Sequence, residues 1–258
     1  MSFAITLFSN APASPGFVNT VAHFKVRLAE KLSFDTPYEV ALEYITFPKT
    51  WYNVFDEKIY FIDKNAMMKI DLPKGYYETS EAVVDRINSL LHDKFASRVG
   101  LTITKIPKLI WEPFTKTSHL NDAKAISGKV QTSIDLILTQ QTRALIGYVP
   151  PNIKPNELLK VDAADINAGF RTLLAYSNIA DYSFVGNSRS QLLELIDIPT
   201  TAKFGDQIPH RYNNPRFVPL LDQEIQEVEI VLKTDFGETI PFRSGRTAVR
   251  LLFRPRNG

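Results

Sequence analysis

The chain has 258 residues, 44% of them hydrophobic and 22% charged, with 30 basic residues against 28 acidic ones for a net charge of +2. That length allows one large domain, or one domain with an inserted lobe, and a core that needs no cross-links. The near-neutral balance gives no bulk field of the kind that draws a protein to nucleic acid or an anionic membrane, and the absence of cysteine excludes disulfides, thiolate metal sites and cysteine nucleophiles.

Elements follow in chain order. Residues 1–8 lack a basic n-region and carry too short an apolar run for a signal peptide. No stretch approaches the ~20 apolar residues of a membrane span, so the expectation is a soluble chain made in the host cytosol. In 22–28, Phe24, Val26 and Leu28 alternate with His23, Lys25 and Arg27, the period of a half-buried strand. Tyr38, Val40, Leu42 and Tyr44 repeat this against Glu39 and Glu43. Residues 58–62 and 67–72 read as two strands about an Asp63-Lys64-Asn65 turn.

The middle changes character. Thr79 or Ser80 is placed to cap a helix, Glu81 sits in its first turn, and Val83, Ile87, Leu90 and Leu91 fall on one helical face. This predicts a helix over 81–95. Strands are predicted over 101–106 and 130–138, then a short helix capped by Thr139 and stopped at Gly147. Pro150-Pro151 breaks the chain. Strands resume at 170–176, 182–185, 191–198, 217–221, 227–234 and 247–254. Prolines 199, 209, 215, 219, 241 and 255 fall at strand ends or edges, where a missing donor does least harm. The expected fold class is mainly β, an antiparallel sandwich or jelly roll. Residues 1–71 with 151–258 would form the sandwich, and 72–150 a small inserted α+β lobe.

No catalytic constellation is visible. His23, His92, His119 and His210 match no metal-ligand spacing, Gly128-Lys129 lacks the rest of a phosphate loop, and no nucleophile elbow occurs. Asp162, Asp165 and Asn167 could hold a hard cation, but a capped turn explains them equally. Glu227 and Glu229 alternate with Val228 and Ile230, as on the wet face of a sheet. Catalytic residues, cofactor and metal are each read as none, and no small-molecule substrate is implied.

Two surface signals remain. Beyond Glu238 there is no acidic residue, yet Arg243, Arg246, Arg250, Arg254 and Arg256 occur. Either they solubilise an edge strand and tail, or they face a polyanion. Trp51, Tyr52, Phe55, Tyr212 and Phe217 stand at expected strand ends beside Pro and Asn. They are either core plugs or anchors of a subunit interface.

A series of segments resembles the minor capsid, or penton, proteins of Polinton (Maverick) elements and adintovirus-like viruses. It runs from Tyr38 to Val54, including Thr50-Trp51-Tyr52-Asn53-Val54, to Leu72-Pro73-Lys74-Gly75-Tyr76-Tyr77. It continues through Asp165-Ile166-Asn167-Ala168-Gly169-Phe170 with Leu173 and Tyr176, then Val185-Gly186-Asn187 and Phe204-Gly205-Asp206. It closes with Asn214-Pro215 to Leu220, Ile240-Pro241-Phe242 and Leu251-Leu252-Phe253-Arg254. The order holds over about two thirds of the chain; residues 88–144 match in pattern only. Ser177 stands where many relatives carry cysteine. The resemblance implies a single jelly roll with no enzyme activity, standing at the fivefold vertices of an icosahedral virion. It implies a homopentamer and a major capsid partner of double jelly-roll type. The alternative is a jelly-roll carbohydrate- or receptor-binding module, with Trp51 and Trp111 as stacking residues; an enzyme with a dispersed site is a third.

Overall fold

A computed structural model describes residues 2–54, 57–63, 66–96, 108–121, 134–148, 163–166, 171–235 and 237–256. In chain order the strands are β1 (Phe3–Phe8), β2 (His23–Ser33), β3 (Tyr38–Pro48), β4 (Glu57–Asp63) and β5 (Ala66–Leu72). Helix α1 (Ser80–Ala96) is followed by β6 (Lys108–Glu112), β7 (Thr117–Asn121) and β8 (Ile134–Ile137), then α2 (Gln140–Ile146). The remaining strands are β9 (Thr172–Ser177), β10 (Ser183–Val185), β11 (Ser188–Ser190), β12 (Leu192–Asp197), β13 (Gln207–Arg211), β14 (Val218–Pro219), β15 (Glu224–Thr234) and β16 (Ala248–Pro255). The chain divides into two compact units, Met1–Trp51 with Phe170–Gly258, and Tyr52–Gly169.

Among the described residues the first unit holds two larger antiparallel sheets and the hairpin β10–β11. One has the order β1-β16-β3-β13, with β14 also paired to β3; the other has the order β12-β9-β15-β2. Successive strands β1, β2, β3 and β9 change sheet each time, β9 and β12 share one, and β13, β15 and β16 change sheet again. That connectivity is a jelly roll. Inward residues of both sheets meet in one core: Leu42, Ile45, Phe47, Val249, Leu251 and Phe253 from one, and Phe24, Leu173, Leu193, Ile196, Val228, Ile230 and Leu232 from the other.

Register decides which face each residue takes. Along β16 and β3, Arg250 pairs with Tyr44 and Leu251 with Leu42, so Glu43 is an extra, bulged residue. Without the bulge Leu42 and Ile45 would face opposite ways; with it both are fully buried. The alternation expected through Tyr44 therefore breaks there. Tyr44 turns outward, under the guanidinium of Arg211 at 5.7 Å.

The second unit contains a sheet of order β5-β4-β8, the hairpin β6–β7, and both helices. Its core gathers Ile59, Phe61 and Leu72 from the sheet, Val83, Ile87 and Leu91 from α1, Leu109 from β6, and Leu145 and Ile146 from α2. The expected strands at 58–62 and 67–72 form, but they pair with each other and, through β4, with β8, in the second unit and not in the expected sandwich. Helix α1 matches its expected span, with the Thr79 hydroxyl accepting from the Ala82 amide at 3.1 Å. Helix α2 also matches, with Thr139 as N-cap and Gly147 closing it in the left-handed conformation. The expected strand at 101–106 and the first residues of that at 130–138 lie outside the described residues. Strands β1, β6, β7, β11 and β13 are not anticipated from sequence.

Buried polar groups fix the loops of this unit. Asn53, 4% exposed, donates to the carbonyls of Tyr77 and Ile166, each at 2.8 Å, and accepts from the Tyr77 amide at 2.9 Å. The buried Glu57 carboxylate accepts hydroxyl hydrogen bonds from Thr139 and Thr142 at the start of α2. Gly147 allows a close backbone approach: a Cβ there would lie 2.5 Å from the Lys116 carbonyl oxygen and 2.8 Å from the Ala164 nitrogen, at φ +55. Gly147→Ala should destabilise this unit by about 2–4 kcal/mol, from a strained conformation plus overpacking. Chemical denaturation followed by α1 and α2 circular dichroism measures it.

Candidate assembly surface

Two open sheets give the jelly roll four edge strands. Packing across the sandwich sets β1 beside β2 and β12 against β3, while the Tyr212 hydroxyl, just after β13, donates to the Leu195 carbonyl of β12 at 2.9 Å. The sandwich therefore has two flanks, one of β1 and β2 and the other of β12 and β13.

Each flank has an edge strand whose backbone is partly occupied by the chain's own residues. On β2, the Lys25 amide donates to the Asn19 side chain at 2.8 Å. On the other flank Tyr212 occupies the Leu195 carbonyl, and Pro209 removes a donor from the middle of β13. Such blocking is how sheet proteins avoid edge-to-edge pairing. What the flanks offer instead is side chains. Leu195 is 50% exposed on β12 and Phe8 41% exposed on β1. Glu194 and Asp197 lie on β12, and Lys25, Arg27, Glu30 and Lys31 on β2.

The five aromatic candidates separate. Trp51 is a core residue at 4% exposure. Its ring meets Phe242 edge-on at 5.6 Å and 72°. The adjoining Thr50 hydroxyl donates to the Ser244 carbonyl at 2.7 Å, and Gly245, at φ +98, lets the Pro48 ring pack where a Cβ would stand 2.7 Å away. Trp51 is a plug for the end of the sandwich, and the interface reading of its side chain is corrected accordingly. Tyr52 is half-buried and belongs to the second unit. Phe55 lies outside the described residues. Tyr212 is half-buried; burial, then the negative charges of Glu194 and Asp197, push its hydroxyl far above the ordinary tyrosine range, so it stays a donor. Phe217 is half-buried beneath the Arg254 guanidinium, 3.5 Å from the ring centroid. Trp111 is partly buried against the second unit's core, so neither tryptophan offers an open stacking face.

The arginines are exposed but not all uncompensated. Arg250 pairs with Glu43 at 2.9 Å and Arg254 with Glu39 at 2.5 Å, carboxylates supplied by the neighbouring strand β3. Arg246 lies 6.0 Å from the Phe8 ring. Arg243 and Arg256 are tied at their backbones to the Thr50 and Pro37 carbonyls. The acid-free C-terminal stretch is thus half of a cross-strand charge ladder, which weakens its polyanion reading.

Other charged groups are structural. Lys49 is 3% exposed and donates to the Ala202 carbonyl at 2.8 Å; burial, outweighing Asp206, holds its ammonium below the usual lysine range. Glu229 binds His23 at 2.5 Å and Lys25 at 3.0 Å. Its burial alone would raise the carboxyl, but those hydrogen bonds outweigh it and hold the group below the ordinary glutamate range. Among the described residues no group of three or more His, Asp or Glu is placed to hold a metal, and no helix is long and apolar enough to cross a membrane. Asp162 and Asn167, of the candidate cation site, lie outside the described residues; the Asp165 amide donates to the Ala144 carbonyl.

Sequence reasoning missed the exposed apolar residues Phe184 at 80%, Tyr182 at 49%, Leu195 at 50% and Phe114 at 96%. One signal was available: two three-residue arms about Gly186-Asn187 are too short to reach a core.

No family model matches this chain, and no curated protein does. Solved structures do. The mavirus penton protein superposes with a TM-score of 0.56 at 12% identity, over 99% of this chain and 100% of that one. A chain of the Sputnik virophage cryo-EM structure gives 0.49 at 11% identity, over 98% of both. This chain has the fold of a virus penton protein along its whole length, the second unit included.

Two outcomes are expected. Trp51→Ala should lower unfolding free energy by about 3–5 kcal/mol, the cost of emptying a buried aromatic site, read by chemical denaturation. Because the Glu229 carboxyl is depressed in the folded state, its stabilisation is complete above the ordinary glutamate range and fades as pH falls through the folded value. Glu229→Gln should flatten that part of a stability–pH profile and leave the neutral-pH melting curve cooperative.

Proposed function

We propose that this protein is a structural capsid protein, the minor capsid or penton subunit of an icosahedral virion of the Polinton kind, and not an enzyme. The observation that carries the reading is the correspondence of fold with the mavirus penton protein across the full length of both chains, including the segment inserted between β3 and β9. A match over the full length of both chains is more specific than a match to a jelly roll alone, which serves many functions.

The flanks support a ring. A cyclic assembly is heterologous: one flank of each subunit meets the other flank of the next. Here the flanks are unlike. One carries Phe8 with a mostly basic β2; the other carries Leu195 with the acidic Glu194 and Asp197. Their blunted backbones favour docking through side chains over open-ended sheet extension. The proposed assembly is a homopentamer at the fivefold vertex, next to a double jelly-roll major capsid protein. Synthesis is in the host cytosol. Tyr52, Phe55, Tyr212 and Phe217 are proposed contacts of this assembly. Nucleic acid is a lesser candidate partner for the C-terminal arginines.

Multi-angle light scattering on the purified chain, alone and with its major capsid protein, tests the reading. A pentamer is expected in at least one condition. Leu195→Glu and Phe217→Arg should shift it towards monomer while the melting temperature stays within about 5 °C. A monomer under both conditions overturns the proposal.

A further inference from the structure

The hairpin β10–β11 forms one wall of a cavity of ≈ 470 Å³ whose floor is the outward face of β9 and β15. That volume falls within the range of small-molecule clefts, about 300–1,000 Å³. Ala175, Val228, Ile230 and Leu232 point into the core, so strand alternation turns Tyr176, Glu229 and Lys233 the other way, to the cavity.

Its chemistry is uneven in an informative way. Two tyrosines supply the apolar surface, Tyr176 half-buried and Tyr182 49% exposed. A cation stands over each ring: Lys233 Nζ is 5.4 Å from the Tyr176 centroid and the Arg189 guanidinium 5.8 Å from that of Tyr182. Among the described residues neither cation has a carboxylate partner. Among the described residues the one carboxylate lining the cavity, Glu229, is already engaged by His23 and Lys25. The charge left unanswered at this place is positive. Two hydroxyls complete the wall. Ser188 donates to the Val185 carbonyl at 3.2 Å and keeps its lone pairs, and Ser190 Oγ has no hydrogen-bond partner among the described residues.

We propose that this cavity binds a sugar carrying a carboxylate, such as a hexuronate or a sialic acid. Lys233 takes the carboxylate, the ring faces of Tyr176 and Tyr182 take the carbon-rich face of the pyranose, and Ser188 and Ser190 meet its hydroxyls. Each group has a physical reason. A half-buried ammonium gains a charge-assisted hydrogen bond, stronger than a neutral one. Tyrosine faces offer apolar area with little rotamer entropy to lose. Hydroxyls with free lone pairs match a polyol. A bare inorganic anion would satisfy Lys233 and leave the tyrosines and Ser190 unused. The inference is independent of the capsid reading, since the cavity lies wholly within one sandwich.

Ligand-observed NMR and calorimetry on the full chain test it, with glucuronate and N-acetylneuraminate as probes and glucose and inorganic phosphate as comparators. Saturable binding of at least one acidic sugar is expected at about millimolar concentration, with glucose at least about tenfold weaker, the discrimination of one charged contact. Lys233→Gln, which keeps most of the stem, should remove that tenfold preference, and Tyr182→Ala, an exposed rim change, should weaken every sugar. Thermal melts check that both variants fold. No saturable binding of either acidic sugar overturns the proposal, as do phosphate binding as tightly as glucuronate and a folded Lys233→Gln that retains the preference.

Discussion

The ladder of β1, β16 and β3 joins residues 3–8 to 248–253, and 38–46 to 248–255, and the whole sandwich is registered on it. These pairings close loops of more than 200 residues, and the entropy of closing them precedes the contacts that reward it. What rewards it is the shared interior: Phe253, Leu251 and Val249 of the last strand are buried against Leu42, Ile45 and Phe47. Phe3 stacks on Phe253 at 5.0 Å, and Phe34 and Tyr38 continue the aromatic row. The chain's two ends cannot be trimmed past these residues without opening the core.

The same ladder explains the surface. A bulge at Glu43 lets Leu42 and Ile45 both face inward, and in doing so sets Glu43 against Arg250. Glu39 meets Arg254 four residues away along β16. Exposed pairs of this kind contribute about 0–1 kcal/mol each, so their effect on stability is small. They specify register, because a one-residue slip would set arginine against an apolar residue and turn the core face outward. The arginine-rich C-terminal strand is thus fitted to this sheet first and available to a partner second.

Edge protection and ring formation are compatible. A sandwich with open backbone edges can add strands; one whose edges are interrupted by Asn19, Tyr212 and Pro209 favours association where side chains fit. Closed assemblies need that selectivity. The exposed flank residues Phe8 and Leu195 and the lining of the tyrosine-lined cavity are different residues of the sandwich.

Local pattern by itself determined the parts whose energetics are local. The alternation in β2, the apolar stripe of α1, the Thr139 and Gly147 caps of α2 and the prolines at edges could all be read directly, because capping and periodicity depend on residues a few positions apart. The order of segments also pointed to a penton-like jelly roll. Tertiary structure alone decided the rest. β4 pairs with β5 and β8 and not within the sandwich; the bulge reverses Tyr44 and Ile45; Trp51 is consumed as a plug; and β3 supplies the carboxylates that the C-terminal stretch lacks. Each of these depends on which strands become neighbours across more than 70 residues of chain, and a strand's sequence states its two faces but not its partners.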